Sequence, residues 1–137
     1  MFLKRNNEDK DNDLIKVAAL LIHAAKIDEN LTVKEEKIIE QTLLIIGAKK
    51  ENITDILEKA KEIENNSNQI LEFTKEVKNM NEQNKIKIIE ALWRIIYSNN
   101  DADIYETNLM RRLAGLLYID NKTMGHIKSK IKNENSL

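Results

Sequence analysis

Ala24-Ala-Lys-Ile-Asp28-Glu-Asn-Leu-Thr32-Val-Lys-Glu35-Glu-Lys-Ile-Ile-Glu40 is the stretch on which the reading of this chain turns. It reads as the end of one helix, a short polar turn holding Asp28, and a second helix opening near Thr32. Thr32 and Glu35 have the spacing of a capping box, in which each side chain accepts a hydrogen bond from the other residue's orphan amide. Upstream, Leu14, Val17, Ala18, Leu21, Ile22 and Ala25 recur at three- and four-residue spacing. That period predicts a first helix from about Asp13 to Lys26 with one wide apolar face.

Downstream, Ile38, Ile39, Leu43, Leu44 and Ile46 continue the second helix, and Gly47 stands where a C′ residue belongs. Asn52 is expected to cap a third helix carrying Ile53, Ile56, Leu57 and Ala60. Glu64 to Asn68 reads as a breaker cluster, with Ser67 capping a fourth helix over Ile70, Leu71, Phe73 and Val77. A fifth helix follows from about Glu82 to Tyr97, with Ile86, Ile89, Leu92, Trp93 and Ile96 inward. Asp103 is the expected cap of a sixth helix bearing Leu109, Leu113, Leu116 and Leu117. A seventh, from about Asn121 to Ile131, offers Met124 and Ile127. The expectation is an all-α fold of about seven helices: one domain over residues 13–132, a flexible leader at 1–12 and a solvated tail at 133–137.

Sliding the chain by 106 − 35 = 71 residues places Glu35 on Glu106 and keeps the apolar phase. Leu21 falls on Leu92, Ile22 on Trp93, Ala25 on Ile96, Ile38 on Leu109, Ile46 on Leu117 and Ile56 on Ile127. Asp28 falls on Asn99 and Thr32 on Asp103. This predicts an internal pseudo-twofold repeat, in which two turns meet and Asp28, Glu35, Asn99 and Glu106 face a shared space.

Composition sets limits. No Pro, three Gly and few aromatics among 137 residues favour helices over a sandwich or barrel. With 22 basic and 23 acidic side chains, a net charge of −1 gives no global pull onto nucleic acid or anionic lipid. The absence of Cys removes disulfides, thiolate metal sites and thiol nucleophiles. Leu14 to Ala25 is the only run resembling a secretory core, but it follows an acidic stretch and contains Lys16 and His23. A cytoplasmic protein is expected.

At the two turns the chain resembles the TerB-like family, small all-helical domains named for bacterial tellurite resistance. The family pattern is an apolar helix, Ala-Asp-Gly, an acidic stretch and a Glu in the next helix, present twice. Here the copies are Ala25-Lys-Ile-Asp28-Glu-Asn-Leu31-Thr-Val-Lys-Glu35 and Ile96-Tyr-Ser-Asn99-Asn-Asp-Ala-Asp-Ile-Tyr-Glu106. The second runs on into Leu109-Met-Arg-Arg-Leu-Ala-Gly-Leu-Leu117, as in an uncharacterised bacterial branch of the family. The resemblance spans roughly Leu14 to Ile131. It implies a seven-helix fold and a metal site drawing on Asp28, Glu35, Asn99 and Glu106. Two departures stand out: Glu29 and Asn100 replace the usual Gly, and Asn99 replaces an Asp, with Asp101 and Asp103 nearby.

Those four residues offer hard oxygen donors, which suit Ca²⁺, Mg²⁺ or Mn²⁺ better than zinc or copper. The competing reading is that Glu35 and Glu106 only cap helices, where acids are favoured without any metal. An EF-hand does not fit, because a loop starting at Asp28 puts Val33 where Gly belongs and Ile39 where the bidentate Glu belongs. Di-iron Glu-x-x-His pairs are absent, since His23 follows Leu20 and His126 follows Thr123 at that spacing. Without a nucleophile elbow or a Gly-rich phosphate loop, no enzyme is expected. Arg111, Arg112, Lys122, Lys128, Lys130 and Lys132 cluster late in the chain without a nucleic-acid motif. The function expected is a TerB-like module binding a divalent cation, with a protein partner and a role in a stress or metal-related response. The alternative is a metal-free protein-interaction scaffold.

Overall fold

The computed structural model of the chain describes residues 7–26, 31–66, 71–98 and 104–135, without the side chains of 7–10, 71, 104–107 and 135. It is all-helical over those residues: α1 (Asn7–Ala25), α2 (Val33–Ile45), α3 (Ile53–Asn65), α4 (Leu71–Lys78), α5 (Glu82–Tyr97), α6 (Ile104–Leu116) and α7 (Asn121–Asn135). About seven helices were expected from periodicity, and seven form among the described residues. Among the described residues no helix is long and apolar enough to cross a membrane.

α1 is the central post. It packs against α2, α3, α4 and α5, while α7 leans chiefly on α5 and α6 meets α4. Spacing predicted one apolar face for α1, but Ala19, Leu20 and Ala24 are buried along with Val17, Ala18, Leu21 and Ile22. A helix apolar all round is stable only when neighbours surround it, and here they do. α5 is nearly as enclosed, with Ile88, Ile89, Ala91, Leu92, Trp93, Ile95 and Ile96 buried.

Several boundaries differ from the sequence reading. α1 starts at Asn7 rather than near Asp13, because its first turns are polar and carry no periodic signal. α7 likewise runs to Asn135, past the expected Ile131, on polar residues. Asn52 ends a short 3-10 turn (Lys50–Asn52) and its side chain makes no capping bond. The expected caps Ser67 and Asp103 lie outside the described residues.

The ends of α2 and α6 are alike. The Ala48 N–H donates to Leu43 O at 2.8 Å and the Gly47 N–H to Leu44 O at 3.3 Å. The Ile119 N–H donates to Ala114 O at 2.9 Å and the Tyr118 N–H to Gly115 O at 3.4 Å. Both are Schellman closures, which require a left-handed C′ residue. Gly47 adopts φ 119° easily, but Tyr118 is held at φ 58°, with its side chain exposed and Lys78 Nζ 4.9 Å from its ring centre. A left-handed L-residue costs about 1–2 kcal/mol, partly offset by the extra chain entropy a glycine would lose. Tyr118→Gly is therefore expected to raise stability by roughly 0.5 kcal/mol, readable as a higher urea midpoint. A fall would show that the Lys78 contact outweighs the strain.

Polar groups tie α7 and α6 to α5. Glu90, only 2% exposed, accepts from Lys130 Nζ, and Lys87 Nζ stands 3.4 Å from its other oxygen. Arg94 forks onto Glu134 at 3.1 and 3.0 Å. The buried Lys85 donates to Leu117 O at 3.2 Å, satisfying a carbonyl at the end of α6. Trp93 is a packing anchor, as its phase predicted: it is 2% exposed, stacks on Tyr97 at 5.8 Å and donates Nε1–H to Met124 Sδ at 3.3 Å.

Candidate functional site

Glu35 occupies the inward stripe of α2 with Ile39, Thr42 and Leu43, and is 1% exposed. The expected capping box forms. The Thr32 N–H donates to Glu35 Oε1 at 2.9 Å, and the Glu35 N–H donates to Thr32 Oγ1 at 3.1 Å. Thr32 at φ −80° and ψ 162° turns the chain from the preceding loop into the helix. Among the described residues no hydrogen bond reaches the second carboxylate oxygen, Oε2.

A second carboxylate stands at the same corner. Glu64, 8% exposed, accepts from Lys26 Nζ at 2.8 Å, and His23 Nδ1 lies 3.4 Å from its other oxygen. The His23 ring is tilted 53° against Phe73, with centres 6.4 Å apart. This gives His23 the partly buried structural place expected of it. Lys61 Nζ reaches Glu36 at 2.9 Å, crossing from α3 to α2. Between the ends of α1 and α3 and the entry to α2 is a cavity of about 410 Å³, bordered by Ile22, Lys26, Leu31, Lys61, Glu62 and Glu64. It is open to solvent and mixed in polarity, with an ion pair on one wall.

The family profile described as tellurite resistance protein TerB matches residues 14–129, from the first turns of α1 into α7. The chain belongs to the TerB family. No curated protein and no solved structure matches it.

The TerB membership accounts for the helical architecture and agrees with the resemblance read at the two turns. Of the four residues expected to form a metal site, Glu35 alone has a described side chain. Asp28 and Asn99 lie outside the described residues, as do Glu29, Asn100, Asp101 and Asp103. Glu106 falls in the first turn of α6, and its side chain is outside them too. Among the described residues no group of three or more His, Cys, Asp or Glu side chains could hold a metal ion.

Sequence reasoning missed Glu64, which it placed in a breaker cluster. The structure puts it inside α3, in phase with the buried Ile53, Ile56, Leu57 and Ala60. That phase was the available signal. A Glu falling on an apolar stripe must find a cation, and Lys26 is the one across the corner.

Proposed function

We propose that this TerB chain is a non-enzymatic, cytoplasmic helical module that binds a divalent cation at the corner between α1 and α2, in a stress or tellurite-related response. The observation that carries the reading is the burial of Glu35, a carboxylate only 1% exposed on the inward stripe at the start of α2, where the first acidic motif places it. Hard oxygen chemistry favours Ca²⁺, Mg²⁺ or Mn²⁺ there. Asp28, Asn99 and Glu106 complete the proposed ligand set, and the cation would tie the turn to the helix. Inclusion of the second motif is supported by the geometry of its helix. α2 and α6 are both 13 residues long, begin at 33 and 104 (104 − 33 = 71), and close in the same motif.

The metal-free scaffold is favoured by one observation: the capping box is complete through Oε1 without any ion. Glu35→Gln separates the two readings, because Gln still accepts from the Thr32 N–H but presents no charge. In chelator the variant is expected to unfold close to wild type. With Mn²⁺ or Ca²⁺ at a hundredfold excess over Kd, wild type is expected to gain about 2.7 kcal/mol. At roughly 3–4 °C per kcal/mol for this size, its melting midpoint rises by on the order of 10 °C. Glu35→Gln should not follow. Equal midpoints for wild type with and without each cation would leave the capping role alone.

A further inference from the structure

A second cavity, sharing no lining residue with the first, stands among α5, α6 and α7. α5, α6 and α7 enclose a slot of about 180 Å³, with the buried Trp93, Met110, Ala114 and Met124 as its base. The exposed Arg111 and half-buried Lys128 stand at its edge. Lys128 Nζ is 5.4 Å from the centre of the Trp93 ring.

Gly125 also borders the slot, in the interior of α7. A Cβ built there would meet nothing within 4 Å. Glycine costs a helix interior about 1 kcal/mol relative to alanine, and no neighbour demands it here. Its effect is to leave the slot open.

The charged side chains that line the slot, Arg111 and Lys128, are both cationic. From Thr107 to Asn133 the sequence has six Lys and Arg and a single acid, Asp120. Asp120 is engaged at the start of α7, accepting from the Thr123 N–H at 2.6 Å. Lys130 is held by Glu90. Arg111, Arg112 and Lys122 have no ion-pair partner among the described residues. In a chain of net charge −1, the apolar opening is thus edged by two cations, Arg111 and Lys128, with no acidic side chain among its lining residues.

We propose that the slot docks an acidic segment of a protein partner, seating one apolar side chain against Met110, Met124 and Gly125 while Arg111 and Lys128 receive flanking carboxylates. The volume suits a single leucine- or phenylalanine-sized group, since a cavity of about 150 Å³ holds benzene. Thioethers on two walls adapt to either shape. Nucleic acid is the weaker occupant, because the Trp93 ring is enclosed and offers no open face on which a base could stack.

The test is selection from a displayed random heptapeptide library on the wild-type protein, followed by titration read through Trp93, the only tryptophan. Selected peptides are expected to carry one Leu, Phe or Met flanked by Asp or Glu. Gly125→Met fills the slot from an open position, so its melting midpoint should match or exceed wild type while affinity falls by about tenfold or more. Arg111→Glu, on the exposed side of α6, should lose a similar factor of about ten, with a weaker salt dependence. The proposal is overturned by selection without acidic bias, by no selection at all, or by unchanged binding in either folded variant. Competition by a charge-matched oligonucleotide as effective as the selected peptide would overturn it too.

Discussion

Leu21→Ala is expected to cost about 2–5 kcal/mol of folding stability, lowering the thermal midpoint by on the order of 10 °C. Leu21 is fully buried in α1, the helix that touches four others, so the neighbours cannot collapse into the void without moving one another. Ile45→Ala is the matched control. Ile45 is 61% exposed on α2, and its truncation should change stability by no more than about 0.5 kcal/mol. Urea unfolding of both variants checks the pair. Similar losses at the two positions would mean that α1 is not the post around which the others are set.

The second large effect concerns pH. Burial alone would push the Glu90 carboxyl up, but the hydrogen bond and charge of Lys130, joined by the charge of Lys87, outweigh it and hold the group below the ordinary carboxylate range. A carboxylate with a depressed folded-state pKa contributes stability above its unfolded value of about 4.3, and that contribution is lost as pH falls through the folded value. Glu90→Gln is thus expected to cost about 1–2 kcal/mol near neutrality, discounted because Lys130 is 58% exposed and can return to water. The gap between wild type and variant should close as the pH is taken below about 4. Melting midpoints from neutrality to pH 3 measure it. A gap that stays constant would show that Glu90 acts by packing and not by charge. Glu134, also held low by its hydrogen bond to Arg94, steepens the wild-type slope in the same direction.

What could be read from the residues, and what could not, divides by the range of the interaction. The Thr32–Glu35 box, Gly47 as C′ residue and the bounds of α5 were legible because each is local: a spacing of three, a left-handed turn, an apolar period. The polar ends of α1 and α7 were not, since periodicity is silent where no side chain is apolar. The left-handed Tyr118 had no local signal either, although the 71-residue offset sets it on Gly47 (47 + 71 = 118). Pairings across the fold were the least legible. Glu64 with Lys26, Glu90 with Lys130 and Lys85 with the end of α6 join residues 32 to 40 positions apart. For the candidate site, residue types and spacing pointed to Glu35, and its burial came only from the packing of α2.

The enclosure of α1 has a consequence for how the chain is made. α1 leaves the ribosome before the helices that cover it, and α5, the last of its four main partners, is complete only at Tyr97. From Ala25 to Tyr97 is 97 − 25 = 72 residues. At about 5–20 residues per second this takes roughly 4–14 s. For that interval a helix buried over most of its circumference has only part of its wall, so the nascent chain is at its most adhesive before α5 is complete.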